Sequence, residues 1–333
     1  MKKYLFLASV AALSFTACTN ETEEYVGTGS ANQQQEIAFV AVSQPTTRGQ
    51  YAVTTTTFPT DNTMEVRAYK TQPTPGDYFD QTTFTKGEGA TWKGSKYWPL
   101  GVSKLNFFAV SGFGVDEDDI EISDALAGAT VAYTTANSYS ATTQSDIMYA
   151  FGRGAVTKSG SSLVFPTVAM EFKHALALVD FEVKGYSATE VAAITVNSIT
   201  LKGAKYNGTL TLTNTNAATE SDAVTTAVSW VAGDAVATQT VPGVSASTAI
   251  TTDFARIGKG LMVIPGTGFT SFVINYTMDG DDYDYEYTPD PAVSSTTANN
   301  KYTYQITFKL HEIEIAPTVA EWTNTNTGVT IQN

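Results

Sequence analysis

The sequence is poor in cysteine and histidine, and this shortage argues against disulfide frameworks and metal centres. Cys18 is the only cysteine among 333 residues, and the two histidines are His174 and His311. A single thiol cannot form a disulfide within a monomer, so the fold must be stabilised by its hydrophobic core. A structural zinc site takes about four nitrogen or sulfur ligands, which one cysteine and two distant histidines cannot supply. We therefore expect no metal and no cofactor.

Motifs of catalysis are missing as well. The sequence contains neither a G-x-S-x-G nucleophile elbow nor a G-x-x-x-x-G-K-[ST] phosphate loop. Nucleophilic catalysis needs a base beside the nucleophile. Each histidine instead lies beside or inside a strand-like pattern, where a lone histidine usually packs or faces solvent. The sequence therefore indicates a protein that is not an enzyme.

Positive charge is scarce too. The chain has 19 lysine and arginine residues against 33 aspartate and glutamate residues, which gives a net charge of −14 at pH 7. Such a chain is repelled by phosphate groups, so nucleic acids and anionic membrane surfaces are not expected as partners. Apolar residues make up 42% of the chain, which is enough for substantial cores, and the length favours two domains.

The N-terminal segment has the residue order of a secretion signal. Lys2 and Lys3 precede an apolar run from Tyr4 to Leu13. This run of about ten residues is half of the roughly 20 that cross a bilayer as a helix, and small residues follow it. We therefore predict a signal peptide over residues 1–17 rather than a membrane span.

Cys18 directly follows Ala17 at the end of this signal, and the junction resembles the lipobox of bacterial lipoproteins. The resemblance implies cleavage between Ala17 and Cys18, followed by attachment of palmitate-type acyl chains to the cysteine. Several acyl chains anchor a protein stably, whereas one is marginal. The alternative is a chance cysteine near an ordinary cleavage site. Residues 18–35 are polar and aperiodic, which predicts a flexible lipidated tether.

The rest of the chain consists of short alternating runs separated by Gly, Pro, Asn and Asp, a pattern typical of strands. The clearest hairpin is SFVINYTM-DG-DDYDYEY, in which Asp279-Gly280 suits a tight two-residue turn. Many short strands at this spacing predict an all-β fold built from two antiparallel β-sandwich domains. We place the N-terminal domain at 36–168 and the C-terminal domain at 169–333.

Two acidic clusters and one aromatic cluster are candidate binding sites. The acidic stretches 116–121 and 279–286 could hold calcium through oxygen ligands, or they could be solvated surface. Trp92 and Trp98 lie in the aromatic stretch WKGSKYWP. Their rings could face a sugar ligand, or they could fill the core of the first domain, which is the interpretation we favour.

Six stretches occur in an order that resembles the fimbrillin-family lipoproteins of the Bacteroidetes, which are similar to type V pilus subunits. They are EIAFVAVSQPTTRG, WKGSKYWP followed by LNFFAV, FKHALALVDFEV, ITLKG with YNGTLTL, LMVIPG, and KYTYQITF with IEIAPTVAEW. Glu21, Glu23 and Glu24 also resemble the surface-export signal of such lipoproteins. The resemblance implies two transthyretin-like β-sandwiches and a location in the outer membrane and the fimbrium.

The resemblance also implies an assembly mechanism. An arginine-specific protease cuts the lipoprotein precursor in the loop after its first strand, and the matching position here is Arg48-Gly49. Release of the first strand, about 36–42, would open an apolar groove with unpaired backbone groups. The C-terminal strand of a neighbouring subunit would fill it by strand addition. The candidate donor here is 327–333, in which Val329 and Ile331 share a face.

This mechanism implies a structural pilus subunit that supports adhesion and biofilm formation. Its partners would be other pilus subunits, the outer membrane through the lipid, and a host or bacterial surface receptor. Three alternatives stay open. Arg48 could be an ordinary surface arginine. Residues 327–333 could pair within their own domain, as in an anchor or tip subunit. The chain could also be a monomeric surface lipoprotein that binds glycans or host ligands through Trp92 and Trp98.

Overall fold

The structure is a computed structural model, and it describes most of the chain after residue 33. The residues described are 34–43, 63–87, 91–113, 117–124, 126–133, 146–205, 207–219, 223–234, 238–245, 248–266, 268–289, 295–309, 312–321 and 329–330. Strands dominate these residues, which confirms the all-β fold class.

The described residues of the first half of the chain form ten strands, with a short 3-10 helix, Glu117–Asp119, before the sixth. These strands are β1 (Glu36–Ser43), β2 (Thr63–Gln72), β3 (Gly76–Lys86), β4 (Thr91–Tyr97), β5 (Ser103–Phe113), β6 (Ile120–Asp124), β7 (Gly128–Tyr133), β8 (Asp146–Ser159), β9 (Ser162–Val164) and β10 (Val168–His174).

The second half contains further strands and a short helix, α1 (Ala188–Ala193). The strands are β11 (Ala177–Gly185), β12 (Ile194–Lys202), β13 (Gly208–Thr215), β14 (Thr225–Ala232), β15 (Thr238–Thr240), β16 (Thr248–Ala249), β17 (Ala255–Arg256), β18 (Leu261–Val263), β19 (Ser271–Met278), β20 (Asp281–Tyr287), β21 (Asn300–Lys309), β22 (Glu312–Glu321) and β23 (Val329–Thr330).

Alternation of apolar and polar residues explains why these segments are strands. In β10 every second side chain from Val168 to His174 is buried and the intervening ones are exposed, because successive side chains point to opposite faces of a sheet. The predicted hairpin is also present, as β19 and β20. Its turn residues Asp279 and Gly280 have φ values of 51° and 92°, the left-handed conformation that tight hairpin turns require.

The first sheet is closed, which differs from the sandwich expected for this half. Seven strands are neighbours in the order β1-β4-β3-β2-β5-β8-β10. The last of them, β10, also pairs with the first, β1, which closes the ring. The result is a barrel-like sheet around one aromatic-rich core. The expectation of a sandwich failed because local alternation shows which side chains point inward, not which strands become partners. The parallel pairing of β1 with β10 removes the open edges that a sandwich would retain.

Two further sheets share a core in the second half. One has the order β17-β11-β21-β22-β23 with β18 beside β11, and the other has the order β15-β12-β19-β20 with β16 beside β12. Rings from both sheets meet between them. The centroids of Phe181 and Phe272 lie 5.0 Å apart, and those of Phe272 and Tyr304 are also 5.0 Å apart.

A fourth sheet, with the order β14-β13-β7-β6, combines strands from both halves of the sequence. Its buried side chains pack with residues of the barrel and of β11 in one continuous core. The indole N–H of Trp230 donates to the carbonyl oxygen of Ala175 at 3.0 Å. The side-chain amide of Asn106 donates to the carbonyl oxygen of Ala217 at 2.6 Å. The sequence boundary expected at 168/169 falls at the start of β10, a strand of the barrel.

The short helix α1 is the only α-helix among the described residues, and no helix there has the length and apolar character needed to cross a membrane.

Tyr304 allows a test of the second core. Burial raises the pKa of its hydroxyl above the ordinary value of 10.0, and charges on Tyr287 and Tyr302 act in the same direction. The folded state therefore retains a proton that the unfolded chain releases above pH 10, so this contribution to stability is present below pH 10 and is lost as the pH rises. The hydroxyl is also buried, and it has no hydrogen-bond partner among the residues that the structure describes.

We therefore expect Tyr304→Phe to leave the free energy of unfolding at pH 7 unchanged or raised by up to about 1 kcal/mol. The same substitution should reduce the fall in stability above pH 10. Urea unfolding at several pH values measures both effects, with Tyr283→Phe, at an exposed position, as the control. A loss of more than about 1 kcal/mol at pH 7 would show that the hydroxyl makes a stabilising contact.

Candidate functional site

The candidate site is the position of β1 in the barrel. β1 lies between β4, with which it is antiparallel, and β10, with which it is parallel. The parallel pairs run from Phe39 opposite Val168 to Ser43 opposite Phe172. We call the channel between β4 and β10 the β1 groove. A strand in this groove satisfies backbone groups on both sides, so its removal would leave two unpaired sheet edges.

Among the side chains of β1 that the structure describes, two point into the barrel. Ile37 and Phe39 are both 0% exposed. The Phe39 ring meets Phe84 and Phe107 edge to face, with centroid distances of 4.9 and 5.0 Å. Edge-to-face pairs add roughly 0.5–1.5 kcal/mol each beyond the burial of their area. Phe39 therefore occupies an aromatic pocket in the floor of the β1 groove.

A polar contact fixes the start of the strand. The Glu36 carboxylate accepts a hydrogen bond from the Ser95 backbone N–H at 3.1 Å and lies 3.6 Å from the Lys93 ammonium. The backbone N–H of Trp98 donates to the backbone carbonyl oxygen of Gln35 at 2.9 Å. Ser95 has a φ of 54°, beside a register shift between β1 and β4. The Lys93 side chain is 54% exposed, so its ion pair is weak, and the backbone contact sets the register.

Close packing around the groove depends on glycines. A Cβ atom on Gly94 would lie 2.8 Å from the Phe84 ring, and one on Gly154 would lie 2.5 Å from Trp98. Real Cβ contacts of this kind essentially never occur at such distances. Both glycines therefore allow large rings to approach the backbone, and their place between strand-like residues was the available sequence signal for this role.

Trp92 and Trp98 are both 0% exposed and belong to the barrel core. Trp92 pairs with Phe39 across the β1–β4 register, and Trp98 meets the Phe107 ring at 5.8 Å. Both rings therefore lie in the core, which is the interpretation favoured from the sequence, and the alternative of a ligand-facing platform is corrected. The rings are enclosed because β1 and β10 complete the barrel around them.

The C-terminal candidate is described in part. Val329 belongs to β23, which pairs antiparallel with β22 through Val319 opposite Val329 and Thr318 opposite Thr330. Ile331 lies outside the described residues. So do Ala17 and Cys18 of the signal junction and Arg48 and Gly49 of the protease site.

The remaining candidates are the histidines and the acidic clusters, and among the described residues no group of three or more histidine, cysteine, aspartate or glutamate residues is placed to hold a metal ion. His174 is buried, and its Nδ1 lies 2.7 Å from Asp146 Oδ2, which makes it a packed structural residue. In the acidic hairpin, Asp282 and Asp284 accept hydrogen bonds from Thr277 and Asn275. His311 and residue 116 lie outside the described residues.

Comparison with known proteins identifies a matching family. Residues 47–322 match a family model described as fimbrillin-like. No curated protein matches the chain.

Solved structures resemble the chain along most of its length. A protein from Bacteroides ovatus with a proposed role in cell adhesion has a TM-score of 0.51 and 10% identity, and covers 89% of this chain and 100% of its own. A fimbrial protein from Bacteroides vulgatus has a TM-score of 0.46 and 16% identity, and the match covers 87% of this chain and 100% of that protein. A tip fimbrial protein from Porphyromonas gingivalis, truncated at its C-terminus, has a TM-score of 0.43 and 12% identity. The match covers 87% of this chain and 100% of that protein. At these identities the likeness concerns the fold.

The aromatic pocket of the β1 groove can be tested by stability. Phe39→Ala should lower the free energy of unfolding by about 3–5 kcal/mol, because it leaves a cavity between two rings. Val40→Ala is the matched control, since Val40 is only partly buried, and it should cost about 1 kcal/mol. Urea unfolding followed by tryptophan fluorescence measures both. Equal losses for the two variants would contradict the inward placement of Phe39.

Proposed function

The chain belongs to the fimbrillin-like family, and on this premise we propose that it is the precursor of a fimbrial subunit that assembles by strand exchange. The proposed role is structural, not enzymatic, with adhesion and biofilm formation as its purpose. The observation that carries the proposal is the position of β1. It is a barrel strand with buried side chains, and it precedes the connection at 44–62 that contains Arg48.

Cleavage after Arg48 would leave β1 held by non-covalent contacts alone. Its loss would free the facing backbone groups of β4 and β10 and uncover the rings of Phe84 and Phe107. Unpaired strand edges beside apolar surface bind another strand readily, and strand addition supplies both backbone hydrogen bonds and side-chain pockets. The groove is therefore suited to accept a strand from a neighbouring subunit.

The proposed donor is the segment 327–333, with Val329 and Ile331 on its inward face. Of this segment the structure describes Val329 and Thr330, which pair with Val319 and Thr318 of β22, so its use as a donor would require this pairing to be released. The same pairing also supports the alternative that this segment stays in its own sheet, as an anchor or tip subunit would require. A monomeric glycan-binding lipoprotein is the less favoured function, because Trp92 and Trp98 are enclosed in the core.

The proposed location is the cell surface, with a lipid on Cys18 tethering the precursor to the outer membrane and the fimbrium as the destination of the cleaved subunit. The expected domain division, with residues 18–35 as the tether, is part of this proposal. Lipid attachment would hold the precursor at the surface while β1 still covers the groove. Cleavage would remove the tether and β1 together.

The protease step predicts a specific cleavage product. Digestion of the precursor with an arginine-specific protease should give a fragment that begins at Gly49 and forms ladders stable in mild detergent. Arg48→Ala and Arg48→Lys should abolish both, because the second variant keeps the charge but not the guanidinium. Arg67 is an internal reference, since it lies in the paired strand β2 and donates to Ile122 O at 3.1 Å, so no cut is expected there. Polymers formed by Arg48→Ala would disprove the proteolytic trigger.

The tether predicts a change in location. Cys18→Ala should remove the protein from the outer-membrane fraction and abolish labelling with a palmitate analogue, because the acylated thiol is lost. Thr19→Ala is the matched control and should leave both unchanged. Cell fractionation and N-terminal sequencing, which separates chains that begin at Cys18 from those that begin at Gly49, measure the outcome. Membrane association of Cys18→Ala at the level of the control would refute lipid anchoring.

A further inference from the structure

Four consecutive residues of β1, 36–39, differ in how their described side chains are held in the β1 groove. An acidic side chain at position 36 meets the Ser95 N–H and the Lys93 ammonium. An aliphatic side chain at 37 is fully buried, the residue at 38 is only partly buried, and an aromatic ring at 39 fits between Phe84 and Phe107. The groove thus fits the pattern acidic, aliphatic, any residue, aromatic.

The segment 327–333 of this chain matches that pattern poorly. With Val329 at the position of Ile37, the residue at the acidic position is Gly328 and the residue at the aromatic position is Ile331. Valine fills less of the buried aliphatic site than isoleucine. Isoleucine is smaller than phenylalanine and has no ring to meet the two facing rings edge to face.

Other registers are worse. A shift of two residues in one direction puts Thr327 at the buried aliphatic position and Val329 at the aromatic position. A shift of two in the other direction puts Asn333 between the two rings. Both place an unpaired polar group in an apolar site, which is costly. A shift of one residue turns Val329 and Ile331 away from the barrel altogether.

The mismatch has a physical consequence in these registers. A side chain that fills a pocket incompletely leaves a void whose lining loses its contacts. With Gly328 at the acidic position, the Ser95 N–H also lacks the side-chain acceptor that it has in β1. A second copy of this chain would therefore hold the groove less tightly than β1 does.

We propose that the β1 groove accepts the C-terminal strand of a different subunit, one whose strand carries an acidic residue, a large aliphatic residue, any residue and then an aromatic residue. This proposal rests on the proposed function and specifies its partner. The strand must run parallel to β10 and antiparallel to β4, as β1 does. A fibre that contains this chain would then be a hetero-polymer at this junction.

The test uses the full chain, cut once between β1 and β2 with both fragments retained. The cut is made after Arg48, or at a factor Xa site inserted between Ser43 and Thr63 if that bond resists. Synthetic peptides then compete with the bound β1 fragment, and its release is measured by size-exclusion chromatography and mass spectrometry. The peptides are 34–43, 325–333, and 325–333 carrying Gly328→Glu, Ile331→Phe or both changes.

We expect peptide 34–43 to displace β1 at the lowest concentration and peptide 325–333 to need at least about tenfold more, which corresponds to about 1.4 kcal/mol. The doubly substituted peptide should displace β1 at a concentration within about threefold of that needed for peptide 34–43. Ile331→Phe should supply most of the gain. The gain from Gly328→Glu should shrink at high salt, because Lys93 is exposed and its ion pair is screened.

Two outcomes would overturn the proposal in different ways. If peptide 325–333 displaces β1 within threefold of peptide 34–43, the partner is a second copy of this chain and strand exchange stands. If no peptide, including 34–43, exchanges with the bound fragment, strand exchange at this groove fails and the proposed partner fails with it.

Discussion

The structure depends on the insertion of β1 between two strands that are far apart in sequence. β2 and β3 separate β4 from β1 in the sequence, and β10 comes after the whole of the rest of the barrel. Closure therefore requires the chain to bring its first and last barrel strands together. Ile37 and Phe39 provide the apolar contact that holds them. Because the backbone pairing would be similar for any extended strand, the side chains and the contact at Glu36 determine which strand is bound most tightly.

The groove is connected directly to the second half of the molecule. β10 ends at His174, and β11 begins after two intervening residues, Ala175 and Leu176, both of which are buried. Asn299 contributes to this junction, since its side-chain oxygen accepts from the His174 N–H at 3.1 Å and its own N–H donates to Leu176 at 3.0 Å. From β11 the sheet continues through β21 and β22 to β23. The strand β10 that borders the groove is therefore joined by a two-residue connection to the sheet that contains β23.

Local sequence patterns predicted the strands but not their partners. The stretch EIAFVAV indicates a strand and Asp279-Gly280 indicates a hairpin turn, because both signals depend on neighbouring residues. The closure of the barrel by β10 depends on residues distant in sequence, which alternation does not encode. The aromatic stretch around Trp92 was ambiguous for the same reason. Whether a ring is enclosed depends on the strands that cover it. The contact of Glu36 with Ser95 follows from the bulged backbone there, which sequence reasoning did not reveal.

The parallel pairing of β1 with β10 has a mechanical consequence. The hydrogen bonds of this pair lie across the strand direction, so a force that pulls a strand along its axis loads the whole row in shear rather than opening the bonds one after another. Rupture then requires many bonds to fail at nearly the same time, whereas a hairpin pulled apart from its end unzips at low force. If the proposed strand exchange joins subunits, a junction with this geometry would resist tension along the strand axis without a covalent bond.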